Sequence, residues 1–214
     1  IREPTNFNIN ADGAGFLTPA NHDGNSSEVN ALGPFLGSLG IFSREAIQIW
    51  HVEADDANNE LLQVISNIGT TARKSVVPFQ DKTVFLAGTV LRALQRGDNT
   101  EAVASIGDLG GPIDVRVRAH CLSVGTTTAD AAVGAVEPQE KRLMIAVGNR
   151  VYVLSSFPGI SAWTEYEPGF SISDMVVSNR RLYVRAADSV YLYGGTNFNT
   201  YDTSTVTVRV PYLD

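Results

Sequence analysis

The chain has 214 residues, 43% of them hydrophobic, and a formal charge of −7; this is enough apolar material for one sizeable core or two small ones. The acidic balance excludes a general nucleic-acid binder, which needs clustered Lys and Arg, and no window approaches the roughly 18 uninterrupted apolar residues of a membrane helix. A lone cysteine, Cys121, excludes an internal disulfide; the fold has to be stable without one, as a reducing cytoplasm would require, and the thiol is expected as a small buried hydrophobe.

The first residues, IREPTNFNIN, lack the charged-then-apolar layout of a secretory signal. Residue 1 is Ile, and the closing STVTVRVPYLD alternates like a strand without a terminal loop, so the expectation is a fragment of a longer protein. Residues 1–36, with TNFNINADGAGF and NHDGNSSE, read as turns around one or two edge strands that contribute few core residues. Asn8, Asn10, Asp12 and Gly13 imitate the opening of a calcium loop, but Pro19 stands where the bidentate carboxylate belongs; no metal is expected there.

GIFSREAIQIW (40–50) alternates on both sides of Arg44-Glu45 and leads into the polar loop VEADDANNE (52–60). KTVFLAGTVLRAL (82–94) does the same about Gly88-Thr89. Residues 98–140 carry no clear hairpin, and Gly107, Gly110 and Gly111 read as a turn without a phosphate-loop pattern. Beyond them, Ile113, Val115 and Val117 alternate like a strand, whereas Ile113, Val117 and Cys121 are spaced for one helix face. Both readings stand. TTTADAAVG (126–134) reads as a long polar loop, and ADAAVGAVEP (129–138) as a candidate short helix ended by Pro138 and weakened by Gly134.

RLMIAVGNRVYVL (142–154) then aligns without a gap on RLYVRAADSVYLY (181–193), an offset of 39 residues (181 − 142). Each is a hairpin, turning about Gly148-Asn149 or Ala187-Asp188. The two upstream hairpins are looser copies, their turns 44 residues apart (88 − 44). With further strands between copies at AWTEYE (162–167) and SDMVVS (173–178), this period fits the four-stranded blade of a β-propeller. An irregular β-sandwich is the alternative. The expected fold class is all-β, a partial or small propeller of about four to five blades of antiparallel meander sheets. Residues 1–36 form its turn-rich N-terminal segment, 37–197 its blades and 198–214 an exit strand.

Reactive constellations are sparse. His22, His51 and His120 lie far apart, without the spacing of a zinc site, and are expected in loops or on the surface. Asp55, Asp56, Glu165, Glu167 and Asp174 are the acids a glycosidase propeller could pair. Glu165 and Glu167 share one face of a strand and read as solvated, with Trp163 among polar neighbours at the strand edge. The Ser-x-Asp-x-Gly-x-x-Trp box of sialidases does not occur. The expectation is no enzyme, no catalytic residues and no cofactor. Partner contacts are placed on the polar loops, at Asp55, Asp56, Thr127 and Asp130, because rim loops commonly carry recognition. The alternative function is a carbohydrate-binding or glycoside-hydrolysing propeller with Trp163, Tyr166 and Tyr183 as sugar platforms. A third is a protein-interaction propeller of a host cell.

GTTARKSVVPFQDKTVFLAGTVLRAL (69–94), IGDLGGPID (106–114) and AVEPQEKRLMIAVGNRVYVLSSFPGISAWTEYEPGF (135–170) resemble the β-propeller region of tail nozzle, or tail hub, proteins of short-tailed bacteriophages. GIFSREAIQIW, SAWTEY and RLYVRAADSVYLY are similar to blade segments of that family, and VRVPYLD resembles the strand that leaves its propeller for the nozzle body. The resemblance spans about residues 36–214 and rests on blade pattern rather than a catalytic signature. It implies a non-enzymatic virion protein, assembled in the bacterial host. Such a protein forms a homo-oligomeric ring, a hexamer, around the channel through which DNA passes without specific binding. It would dock an adaptor, spike or fibre protein and involve no membrane.

Overall fold

The computed structural model describes residues 28–53, 55, 58–97, 102–157 and 160–195. They form four antiparallel sheets, each a meander in which consecutive strands are neighbours. Sheet 1 contains β1 (Ala31–Phe35), β2 (Ser38–Phe42), β3 (Ala46–His51) and β4 (Glu60–Ser66). Sheet 2 contains β5 (Val77–Phe79), β6 (Lys82–Ala87), β7 (Val90–Arg96) and β8 (Ala104–Gly107). Sheet 3 contains β9 (Val133–Glu137), β10 (Arg142–Val147), β11 (Arg150–Phe157) and β12 (Ile160–Tyr166). Sheet 4 contains β13 (Asp174–Ser178), β14 (Arg181–Ala186) and β15 (Ser189–Leu192). Two helices, α1 (Asp114–Val124) and α2 (Thr126–Asp130), join sheet 2 to sheet 3.

Every hairpin of the repeat supplies the second and third strands of its sheet. The turns sit where the alternation breaks, and Gly88, Gly148 and Ala187 each take a left-handed backbone, with φ of +60°, +58° and +48°. That is the conformation two-residue hairpin loops require, and one that glycine adopts without strain. Register follows from burial. In sheet 3, Leu143 opposes Leu154 and Ile145 opposes Tyr152, and these four side chains face sheet 2, while Met144, Ala146, Val151 and Val153 face sheet 4.

The sheets stack face on face in chain order. Phe35, Phe42, Ile47 and Ile49 of sheet 1 pack on Phe85 and Leu94 of sheet 2. Val84, Leu86 and Leu91 of sheet 2 pack on Leu143, Ile145 and Tyr152 of sheet 3. Val151 and Val153 of sheet 3 pack on Met175, Leu182 and Val184 of sheet 4. The first strands also touch in series, β1 against β5, β5 against β9, and β9 against β13. Sheets that meet along their first strands and stack by their faces radiate from a common side, as the blades of a propeller do. The fold is all-β, a small partial β-propeller of four blades among the described residues; two sheets facing each other, as in a sandwich, would not produce three successive face-to-face interfaces.

The structure resolves three open or mistaken readings. Residues 114–124 are helix, because Val117 and Cys121 are buried together while Val115 points to solvent. Residues 133–137 are strand and not the tail of a helix: Val133, Ala135 and Glu137 are buried on alternation, and β9 pairs with β10 from Arg142 to Ala146. The stretch 126–134, read as a polar loop, is α2 followed by the start of β9. The edge strand expected within residues 1–36 is β1, which opens the first blade and gives Ala31 and Phe35 to the core. The calcium-like stretch at Asn8–Gly13 with Pro19, His22 and the exit strand at 198–214 lie outside the described residues.

Gly134 shows why β9 defeats helix reasoning. A Cβ there would stand 2.5 Å from Val77 Cγ2 and 2.7 Å from Ile145 Cδ1, where strands of two blades approach closely. Gly134→Ala is expected to lower the free energy of unfolding by about 1–3 kcal/mol through overpacking. Urea denaturation with an unchanged slope would register it, and a gain in stability would show that β9 is not packed against β5.

Candidate functional site

Blades that meet on one side diverge on the other, and the gap between sheets 2 and 3 is filled by α1. Its Val117 and Cys121 enter the core beside Leu91 and Tyr152. Two clusters of charge fasten it. On the sheet 2 side, Arg92 Nη1 lies 2.9 Å from Asp108 Oδ1 and 2.6 Å from Asp114 Oδ2, and donates to the Leu91 carbonyl at 2.8 Å. Asp114 is the acid in the first turn of α1, where a negative charge also suits the helix dipole.

On the sheet 3 side, Glu165 of β12 sits between two guanidinium groups. Arg150 Nη1 is 3.1 Å from Glu165 Oε1, and Arg150 Nη2 is 2.8 Å from Glu167 Oε1. Arg116 Nε of α1 is 2.9 Å from Glu165 Oε2, an electrostatic contact off the hydrogen-bonding direction. The Glu165 side chain is 15% exposed. It is therefore not the solvated residue that strand alternation suggested; Arg116 and Arg150 offset its desolvation. Tyr152 of β11 pairs with Glu165 of β12 in the ladder and is buried. Burial pushes the Tyr152 phenol well above its ordinary value, and the Glu165 charge pushes the same way.

His120 is buried as well, contrary to the surface position expected for it. Its Nε2 lies 2.9 Å from the Val147 carbonyl, which can only accept, so the proton is on Nε2. The ring meets Tyr152 edge-on at 6.4 Å. The neighbouring Cys121 is the buried hydrophobe expected, and burial pushes its thiol up to about 11, far from the thiolate that reactive cysteines need. Trp163 packs on the sheet 2–sheet 3 core and donates from Nε1 to the Leu109 carbonyl at 3.1 Å; it does not stand at a polar strand edge. Tyr166 lies on the opposite face of β12 from Trp163 by alternation, and Tyr183 belongs to another sheet, so the three aromatic residues form no common platform.

The remaining acid, Asp174, lies 2.7 Å from Lys74 Nζ, a contact linking sheet 4 to the turn before sheet 2. The Lys74 hydrogen bond, outweighing desolvation, holds the Asp174 carboxyl below its ordinary range. Each of Glu165, Glu167 and Asp174 thus has a cation within contact distance. A retaining or inverting glycosidase works through a pair of carboxyl groups flanking one sugar bond, whereas each of these three acids is in contact with a cation of the chain itself. Among the described residues no group of three or more His, Cys, Asp and Glu could hold a metal ion, and no helix is long and apolar enough to cross a membrane.

The expected contact residues separate into two places. Asp55 is in the β3–β4 loop, its carbonyl accepting from Asn58 N at 3.1 Å; Asp56 lies outside the described residues. In the same loop His51 Nε2 is 3.0 Å from Glu53 Oε1, and hydrogen bonds from His51 and Asn58 lower the Glu53 carboxyl. Thr127 and Asp130 share α2, where Thr127 is exposed and Asp130 accepts a hydrogen bond from the Thr71 hydroxyl. Sequence reasoning missed Arg150 and Arg116. Arg150 had a signal: it stands where the second copy of the repeat has Ser189, and a departure from a repeat marks a local task. Arg116 had none.

A surface concavity of about 430 Å³ opens on sheet 1, lined by Leu32, Gly33, Pro34, Gly37, Ser38, Leu39 and Val52.

No family model matches the chain, and no curated protein matches it. Among solved structures, BamB from Moraxella catarrhalis is similar, with a TM-score of 0.47 and 11% sequence identity over 77% of this chain and 43% of that one. The chain thus spans less than half of BamB.

Glu165→Gln leaves Arg116 and Arg150 without their shared countercharge and is expected to cost about 1–3 kcal/mol. A double-mutant cycle with Arg116→Gln should give a coupling of at least about 0.5 kcal/mol; additive effects would mean that α1 is not fastened there. For Lys74 and Asp174, both nearly half exposed, the contribution at pH 7 is at most about 0.5 kcal/mol after solvent screening. Its sign follows from the lowered carboxyl. Stabilisation is present above the ordinary aspartate value of 3.8 and fades as the pH falls below it. The stability difference between Lys74→Met and the parent should therefore shrink from pH 7 to pH 3, and a difference that grew would refute the pairing.

Proposed function

We propose that the chain is a structural component of a bacteriophage tail, part of the nozzle or hub ring around the DNA-exit channel, and that it docks other tail proteins. One observation carries the reading: among the described residues, Asp174, Asp114 and Glu165 are engaged in fastening sheets and α1 to one another. A block of stacked sheets transmits force and offers surfaces for docking. The segments that resemble the phage family support the same reading. Residues 69–94 cover β5, β6 and most of β7, and residues 135–170 run from the middle of β9 through β12, so the resemblance falls on strands of sheets 2 and 3.

The acidic balance of −7 suits a wall along which a polyanion slides, because like charge keeps DNA from adhering over a Debye length of about 8–10 Å. The ring is homo-oligomeric, a hexamer as the family resemblance implies, located in the virion after assembly in the bacterial host. Its partners are an adaptor, spike or fibre protein.

Electron microscopy of the full-length protein is the test. Rings with a central bore, and antibody labelling at the tail of virions, are the expected outcome. Hydrolysis of a polysaccharide, or saturable binding on a glycan array, would replace this reading with the carbohydrate-active one. A net-positive bore would remove the role given to the acidic charge.

A further inference from the structure

Helix α1 fills the gap between sheets 2 and 3 with only part of its surface. Val117, His120 and Cys121 turn into the protein and account for the filling. Val115 and Leu122 do the opposite: at 83% and 71% exposed, they are the two most exposed large hydrophobic residues among those described. They stand seven positions apart (122 − 115), with the exposed Ala119 between them. The three therefore form one apolar stripe along two turns of helix, about 10 Å long. A single exposed hydrophobic residue is ordinary, but a stripe at helical spacing marks a contact surface. Helix geometry sets Arg118 on one side of this stripe and Arg116 on the other. Arg116 is 53% exposed beside Glu165, and Arg118 is exposed without an ion pair among the described residues. From 115 to 129 the chain has no acid.

We infer that α1 is a docking helix whose occupant is an amphipathic α-helix of another protein, its own apolar stripe flanked by Asp and Glu. Shape selects a helix, because the small Ala119 between Val115 and Leu122 leaves a notch for a side chain of a facing helix, as ridges enter grooves. Charge selects an acidic one, since arginines on both flanks attract carboxylates on both sides of the facing stripe. The same flanks argue against a second copy. Two α1 helices paired antiparallel through Val115 and Leu122 would bring like arginines face to face. A bilayer is a poorer match, because helices that lie in a membrane interface are rich in Lys and Arg over a face of Trp, Phe and Leu, and α1 offers two arginines and a stripe of three. Rigidity favours binding as well. Arg92 ties Asp114 to sheet 2 and Glu165 ties Arg116 to sheet 3, so the stripe is ordered before a partner arrives and little is lost in ordering it. The neighbouring gaps are filled without a helix, by the Gln63–Ala104 hydrogen bonds and by Phe170 on Tyr191; an outward helical face is what the insertion adds. The inference rests on the docking part of the reading above and gives it a surface.

Two fluorescent helical peptides of about 20 residues, titrated with the full-length protein, test it. Both carry a stripe of Leu and Ala, flanked in one by Glu and in the other by Lys. Anisotropy should show saturable binding of the Glu peptide at about micromolar concentration, and binding of the Lys peptide at least about tenfold weaker. Val115→Asp and Leu122→Asp, at positions already facing water, should each weaken the Glu peptide at least about tenfold with an unchanged circular dichroism melt. Arg118→Glu should shift the preference towards the Lys peptide, and Val190→Asp, on sheet 4, should change nothing. No saturable binding, equal binding of the two peptides, or a loss with Val190→Asp as large as that with Leu122→Asp would overturn the inference. So would a parent dimer that Leu122→Asp takes apart in sedimentation velocity, which would make a second copy the occupant, or binding to phosphatidylserine vesicles that Leu122→Asp abolishes, which would make it a bilayer. Peptide binding by a protein absent from virions would sink the tail assignment and leave this surface standing, and tail labelling with a protein that ignores both peptides would do the reverse.

Discussion

Everything in this molecule depends on sheets that have to bury two faces at once. Sheets 2 and 3 lie inside the stack, and their central strands are accordingly apolar almost without interruption: Thr83 to Leu86 in β6, Leu143 to Val147 in β10, and Val151 to Leu154 in β11 are all buried. Sheet 4, covered on one side, returns to alternation, with Leu182 and Val184 buried and Arg185 exposed in β14. A strand that is apolar on both faces has no solvent-facing alternative register, so the interior sheets fix their neighbours. The Phe42–Phe85 contact, edge-on at 5.2 Å between sheets 1 and 2, is one aromatic element of that dry seam.

Radiating sheets create two opposite packing problems. Near the common side there is too little room, and small residues answer it. A Cβ on Gly33 would stand 2.7 Å from Val76 Cγ1, much as one on Gly134 would meet Val77. Away from it there is too much room, and each gap is filled differently. Between sheets 1 and 2, Gln63 and Ala104 exchange hydrogen bonds, Nε2 to carbonyl at 2.9 Å and backbone N–H to Oε1 at 2.8 Å. Between sheets 2 and 3 there is α1 with its arginine–carboxylate clusters. Between sheets 3 and 4, Phe170 stacks on Tyr191 at 4.7 Å, and Gln139 Nε2 donates to the Arg180 carbonyl. The helical insertion stretches the repeat there to 60 residues (148 − 88) between turns, while its neighbours keep 44 and 39.

That difference explains which parts of the fold were legible. Hairpins were readable because alternation and a turn residue with a left-handed backbone coincide in one short window, as at Gly148. Helix α1 was ambiguous because its exposed face carries Val115 and Leu122 while its buried face includes His120, so no polar–apolar partition marks it. Strand β9 was misread because close approach selects Gly134 and Ala135, residues whose smallness reads as helix or loop when the neighbouring blade is unseen. The candidate site was least legible of all. Glu165 was found by its type, but what it does is decided by Arg116, 49 positions away (165 − 116), and no local pattern contains that pairing.

The pairing also settles how the carboxylates should be understood. An acid 15% exposed and flanked by two arginines resembles a catalytic group when seen from sequence, since both are desolvated and charged. They differ in what the surroundings favour. A general acid sits among apolar walls or beside a like charge, whereas Glu165 sits between Arg116 and Arg150, which hold its carboxylate in place. Tyr152 completes the contrast: burial, with the Glu165 charge, pushes its phenol well above its ordinary value. Polar groups desolvated at a seam and neutralised in place bring order to α1, which is held from sheet 2 by Arg92 and from sheet 3 by Glu165.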